Sequence, residues 1–285
     1  MQNSLRLGLL CVGTVLTFLT FLTFLALSAF PGFSMAAASA NPCVLEAGTA
    51  TYNFLVNGTS VGDVTRKLSS DHAGAYQASS VTNAHFLFFK DQVTESSAGL
   101  ITKNQISPVS YQIVDTRVKQ PVNISFDQAK KLAEISSNKN TISLNIPADI
   151  QDNLSYVLAL RLGLIQGKVP NVLTVLEQDK KKRSVSMAFY FKNLGEFNLT
   201  TSLGNLKTIK LSRLDASTGL TYDYWFAPSL NDVLVKTDAT QENMDSKDNK
   251  DNSEADQSIE IVAETDILTY VKASDNLNTG CVISA

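Results

Sequence analysis

From Ala50 to Val271 apolar residues return at every second position, segment after segment, with turn formers between the segments. Period-two alternation places one face of a segment against a core and the other in water, so it calls for β-strands buried on one side. Ala50, Tyr52, Phe54 and Val56 share a face of the first segment, and Asn57-Gly58 closes it with a hairpin signal. Val64, Arg66 and Leu68 follow on a second strand, and Tyr76–Val81 reads as a third. Further strands are expected at 92–101, 110–118, 122–126 and 141–146, then at 172–177, 184–191, 197–201 and 207–211. The segments 221–226, 232–237, 259–263 and 267–271 complete a fold that is mainly β.

Two stretches break the alternation. Asn83–Lys90, with Phe86, Leu87, Phe88 and Phe89, reads as a short helix. Asp152–Gln166 reads as a longer one: Asp152 is a good N-cap, Leu154, Val157, Leu158, Arg161, Leu162 and Ile165 follow helical spacing, and Gly167 stops it. Leu160 and Leu164 make that helix apolar almost all round, which fits burial against a sheet. Gln128–Ser136 is ambiguous between helix and strand.

The first 40 residues differ in kind from the rest. Arg6 is their only charge, and an uncharged run from Leu7 to Phe30 carries Thr-Phe-Leu three times in succession. Pro31-Gly32 ends the run and Ala38-Ser39-Ala40 supplies small residues for a cut before Asn41, which together make a secretory signal peptide over 1–40. The run is also long enough to span a bilayer, so an uncleaved anchor is the competing reading, and membrane contact is expected only through this segment if it is retained. Export places the mature chain outside the cytoplasm. After cleavage two cysteines remain, Cys43 and Cys281; in an oxidising compartment they are expected to form a disulfide that ties the ends of the mature chain together.

The remainder, 41–285, reads as a single β-rich domain with a disordered acidic loop at 238–258. That loop holds five Asp, two Glu and two Lys, with Met244 its one large apolar side chain, so it has nothing to bury against the loss of chain entropy. The whole chain carries 24 basic and 27 acidic residues, a net −3. The acidic excess lies in the loop, which leaves a body close to neutral and gives no support for nucleic-acid binding.

Searching for chemistry mostly excludes it. No nucleophile elbow, His-Glu-x-x-His helix, phosphate loop, Cys-x-x-Cys pair or dinucleotide-binding glycine pattern occurs, so no catalytic residue, metal ligand or cofactor is expected. His72 sits in a turn sequence, Ser70-Asp71-His72-Ala73-Gly74, and reads as a solvated turn residue. His85 adjoins the Phe86–Phe89 cluster and reads as a partly buried imidazole. Arg161, set in Leu158-Ala159-Leu160-Arg161-Leu162, is the more interesting charge. It either holds an anionic headgroup or pairs with a carboxylate of the sheet while its stem covers apolar surface. Lys180-Lys181-Lys182-Arg183 reads by default as a solvated hairpin tip, with contact to anionic lipid headgroups or another envelope component as the alternative, and Trp225 reads as a core residue at a strand end.

The order of short landmarks resembles an exported bacterial family known as domain of unknown function 3108. Those landmarks are Tyr52-x-Phe54 with Gly58 and Val61-Gly62, then Gly74-x-Tyr76, Pro108-x-x-Tyr111 and Phe126-Asp127. Asp152-x-Leu154-Ser155 with Leu160-Arg161, then Gly195, Gly204 with Lys207–Leu211, and Trp225-x-Ala227-Pro228 follow. The resemblance implies a strongly curved antiparallel sheet, a half-barrel similar to periplasmic lipoprotein carriers, wrapping one or two helices. It brings no catalytic residues with it. Two functions follow as expectations: a non-catalytic module binding an apolar or lipid-like ligand, or a structural or assembly scaffold binding another envelope protein.

Overall fold

The computed structural model describes residues 45–273 apart from 72, 87–88, 138–139, 179–183 and 243–258, and without the side chains of 86, 89, 119, 178, 242 and 259–262. The chain divides into Met1–Ala38 and Ser39–Ala285, and every described residue belongs to the second unit. Residues 1–40, where a signal peptide is expected, Cys43 and Cys281, where a disulfide is expected, His72, the 180–183 basic run and residues 243–258 of the expected acidic loop therefore lie outside the described residues.

The fold is mainly β, as the alternation demands. Strands β1 (Gly48–Val56), β2 (Thr59–Ser70), β3 (Ala75–Phe86), β4 (Phe89–Ile101), β5 (Ile106–Asp115), β6 (Val118–Asp127), β7 (Leu132–Ser137) and β8 (Asn140–Asn145) form a meander. Helix α1 (Ser155–Ile165) and the hairpin β9 (Val172–Gln178) and β10 (Ser184–Tyr190) come next. Then follow β11 (Lys192–Thr201), β12 (Gly204–Asp215), β13 (Leu220–Ala227), β14 (Val233–Glu242) and β15 (Ile259–Lys272). Thirteen strands make one antiparallel sheet in the order β11-β12-β13-β14-β15-β1-β2-β3-β4-β5-β6-β7-β8, and β9 pairs with β10 alone. Every neighbour in the large sheet is a neighbour in sequence except one: β15 returns to pair with β1, with Gly48 opposite Lys272.

The sheet is open, with β8 and β11 at its edges, and the chain between those edges carries α1 and the small hairpin. Helix α1 packs on β5 and on β14, one strand from each half, so the sheet curves around it. Its sequence explains the grip. Leu154, Leu158 and Leu162, spaced by four, enter a core with Leu68, Tyr76, Tyr111, Ile124 and Ile135. Leu160, with Tyr156, Val157 and Leu164, enters a second core with Phe189, Leu211, Tyr224 and Phe226. A helix gripped from two sides has no solvent stripe, which is why it is apolar almost all round. A third cluster, with Tyr52, Val64, Trp225, Val233, Val235 and Ile267, joins β1 and β2 to β13, β14 and β15. The β11–β12 turn covers it, and Ser202 Oγ donates to the Ile267 and Leu268 carbonyls of β15.

Several expectations need correction. Residues 83–90 are not a helix: β3 runs to Phe86 and β4 starts at Phe89, paired throughout from Ala75–Leu100 to Phe86–Phe89. One α-helix is therefore present among the described residues. The ambiguous 128–136 stretch ends in strand β7, and 259–263 and 267–271 are parts of one strand, β15. The acidic segment does not begin as a loop at 238, since β14 continues through Asp238–Glu242, between β13 and β15. Lys236 makes this possible: its ammonium meets Asp238 at 3.5 Å and Asp266 at 3.7 Å and is also paired with Glu264. His85 is exposed on β3 rather than partly buried.

Candidate functional site

Where α1 crosses the middle of the sheet it leaves a cavity of about 80 Å³. The register of β1 and β2 builds its floor, because Gly48 faces Leu68, Ala50 faces Arg66 and Tyr52 faces Val64. Small residues here, Gly48, Ala50 and Ala78, keep the floor low, while Leu154, Val157, Leu158 and Arg161 of α1 form the roof. Val233 and Leu234 of β14 and Tyr270 of β15 close one side. The lining is chiefly apolar with a few polar groups, which is the usual composition of a small-ligand site.

The helix is held over this cavity by its first turn. Asp152 is fully buried, and its Oδ1 accepts from the backbone N–H of Leu154 and of Ser155, both at 2.8 Å. Its Oδ2 accepts from Ser97 Oγ at 2.7 Å, and Ser97 in turn shares a 3.0 Å bond with the Tyr76 hydroxyl. The Asp152 amide donates to Ser155 Oγ at 2.8 Å, so helix cap and sheet are locked by one residue. Burial pushes its carboxyl up to about 6, against the pull of those donated hydrogen bonds.

Two arginines enter the cavity. Arg161 is 6% exposed; its Nη2 donates to the Asn231 carbonyl at 3.1 Å and approaches Asn231 Oδ1 at 3.4 Å. Asn231 adopts a left-handed backbone, φ 55°, and its Oδ1 also accepts the Glu46 amide. Arg66 stands on β2 with its guanidinium carbon 5.4 Å from the centre of the Tyr52 ring. Nε of Arg161, and Nε and Nη1 of Arg66, are buried and have no hydrogen-bond partner. Among the described residues neither guanidinium is in an ion pair, so the sheet carboxylate expected for Arg161 is not there, and main-chain and amide oxygens take its place. Burial draws the Arg161 guanidinium below its usual range, and Tyr270, Tyr52, Asp232 and Glu46 act in the opposite direction. Burial likewise raises the Tyr52 hydroxyl, which donates to the Leu234 carbonyl at 2.7 Å.

Arg161 stands out in the sequence as a candidate, and Arg66 is far less conspicuous there. The signal was present in Val64-x-Arg66-x-Leu68, where a cation occupies an apolar period-two position. Among the described residues no group of three or more His, Cys, Asp or Glu side chains has the arrangement to hold a metal ion. No helix among them is long and apolar enough to cross a membrane.

A second concavity, about 800 Å³, lies on the opposite face of β2–β8. Its lining is the solvent-side row of those strands, including Ser79, Ser96, Gln112, Asn123 and Ser136, with Lys67 and Glu134 as its charges. Neighbouring amides satisfy each other there, as in the 2.6 Å bond from Gln112 Nε2 to Asn123 Oδ1.

Residues 49–244 match the model of a family described as "Protein of unknown function (DUF3108)". No curated protein matches the chain in sequence. Among solved structures, a beta-barrel-like protein of domain of unknown function DUF1849 from Brucella abortus is similar at 8% identity and a TM-score of 0.48, over 80% of this chain and 98% of that one. A candidate lipoprotein from Parabacteroides distasonis is similar at 10% identity and a TM-score of 0.33, over 80% of this chain and 96% of the other.

Proposed function

This chain belongs to the DUF3108 family of proteins of unknown function, and from that premise we propose that it is an exported, non-catalytic module of the bacterial envelope that binds an apolar or lipid-like ligand. The observation that carries this reading is the cavity between α1 and β1–β3, whose lining combines Ala50, Leu68, Ala78, Leu154 and Leu158 with a few polar side chains. Its 80 Å³ suits the end of a ligand rather than a whole lipid. Each methylene seated there contributes about 0.8 kcal/mol, or about fourfold in affinity. The basic start, apolar run and small-residue exit of residues 1–40 support export to the periplasm.

Native mass spectrometry of the protein purified gently from the periplasm tests the reading. A discrete adduct that is lost on denaturation is the expected result. A bare mass, together with failure to displace a fluorescent fatty acid, would remove it.

A second reading has its own observation. The large sheet ends in two open edges, and the edge strand β8 exposes Ile142 at 54%. Open edges accept a further strand, so an assembly scaffold would recruit an envelope protein by strand addition. Capture of a stoichiometric partner that is lost when Ile142 is replaced by lysine would favour it over the carrier.

A further inference from the structure

We propose that the cavity takes the anionic end of a single-chain amphiphile, a carboxylate or phosphate monoester on an aliphatic tail, with Arg66 and Arg161 as its counter-charges. This rests on the ligand-binding reading above and adds the chemistry of the headgroup. Two guanidinium groups from different elements, β2 and α1, line one small cavity. Together they present three buried N–H-bearing nitrogens without an acceptor: Nε and Nη1 of Arg66 and Nε of Arg161. Buried cationic donors are costly when unmatched, and neither arginine has a carboxylate in ion-pair contact among the described residues. An oxyanion supplies what is missing, because a guanidinium binds carboxylate and phosphate oxygens through charge-assisted hydrogen bonds.

The local acids do not fill that role. Glu46 lines the cavity but its carboxylate is paired with Lys272. Asp232 acts on Arg161 through space and leaves its own Oδ1 without a hydrogen bond. The apolar half of the lining sets the rest of the ligand: Ala50, Leu68, Ala78 and Leu158 fit methylenes beside the headgroup rather than a free hydrated ion.

Calorimetric titration of the delipidated protein with dodecanoate, dodecyl phosphate, dodecanol and inorganic phosphate tests the assignment. The two amphiphilic anions are expected to bind at least about tenfold tighter than dodecanol, and inorganic phosphate more weakly than either. Equal affinity for acid and alcohol would overturn the headgroup assignment while leaving the apolar site intact. Inorganic phosphate binding as tightly as dodecyl phosphate would replace the amphiphile with a free anion. If none of the four binds, the cavity reading itself fails. Arg66→Met, on the partly exposed β2 arginine, is expected to shrink the preference for dodecanoate over dodecanol at least about threefold, the remainder resting on Arg161. An equal loss for both would make Arg66 a packing residue, and the ligand series on the unaltered protein decides the question if the variant does not fold.

Discussion

Asp152 shows how one side chain can set both the position and the pH response of an element. Its folded-state carboxyl, at about 6, lies above its unfolded value, so the folded state takes up a proton that the unfolded chain does not. Stability should therefore rise as pH falls from 7 through 6 toward 4, by on the order of 3 kcal/mol from this group. Asp238, also raised to about 6 by burial, acts in the same direction with a smaller, solvent-screened share. Urea midpoints at pH 7 and pH 5 should differ in that sense, and Asp152→Asn should flatten the difference while keeping an acceptor for the cap. A midpoint that falls on acidification would contradict the assignment. Asp152→Ala strips acceptors from two helix N–H groups and from Ser97, and is expected to cost about 1–3 kcal/mol. Gly62 makes a different demand: a Cβ there would sit 1.8 Å from the Asn83 carbonyl oxygen on β3. Gly62→Ala should force β2 and β3 apart and lower the thermal midpoint, whereas the same change at Gly58, with open space around it, should act only through its backbone φ of 72°.

At the scale of the element, α1 is the member whose packing is most exacting. Leu158 and Leu160 enter different cores, so Leu158→Ala and Leu160→Ala should each cost about 2–5 kcal/mol, and any shortfall of the double variant from their sum measures the coupling through their shared helix. A double variant losing much less than the sum would mean that α1 couples the two cores strongly. Helix, strands and the Asn57-Gly58 turn were legible in the sequence because each carries its own periodicity or turn chemistry. The strands at 83–90 were not, because four consecutive apolar residues, Phe86–Phe89, hide the alternation at the end of a hairpin. The continuation of β14 was hidden for the opposite reason. Asp238 and Glu242 read as solvated loop until β13, β15 and Lys236 are in place around them. Half of the cavity was legible in the same way. Arg161 stands out in a helix of leucines, whereas Arg66 needs the register of β1 and β2 before it is seen to face the helix.

For the whole molecule, the decisive feature is the return of β15 to β1. β15 fills the gap between β14 and β1, and it carries Tyr270 into the wall of the cavity. A chain ending at Glu242 would leave both neighbours as unpaired edges and the cluster around Trp225 without Ile267. Such a truncated chain should show no cooperative transition in the fluorescence of Trp225, its only tryptophan; a retained transition would mean that β15 is dispensable. The pairing of Gly48 with Lys272 also has a consequence in time. A growing chain emerges at about 5–20 residues per second, and β1 is made long before the strand it needs. The meander from β1 to β8 can zip up as it appears, but the cavity gains its Tyr270 wall only after β15 has been made. A nascent chain that stops short of β15 therefore holds this cavity open on the side that Tyr270 closes, and one edge of β1 waits unpaired for its neighbour.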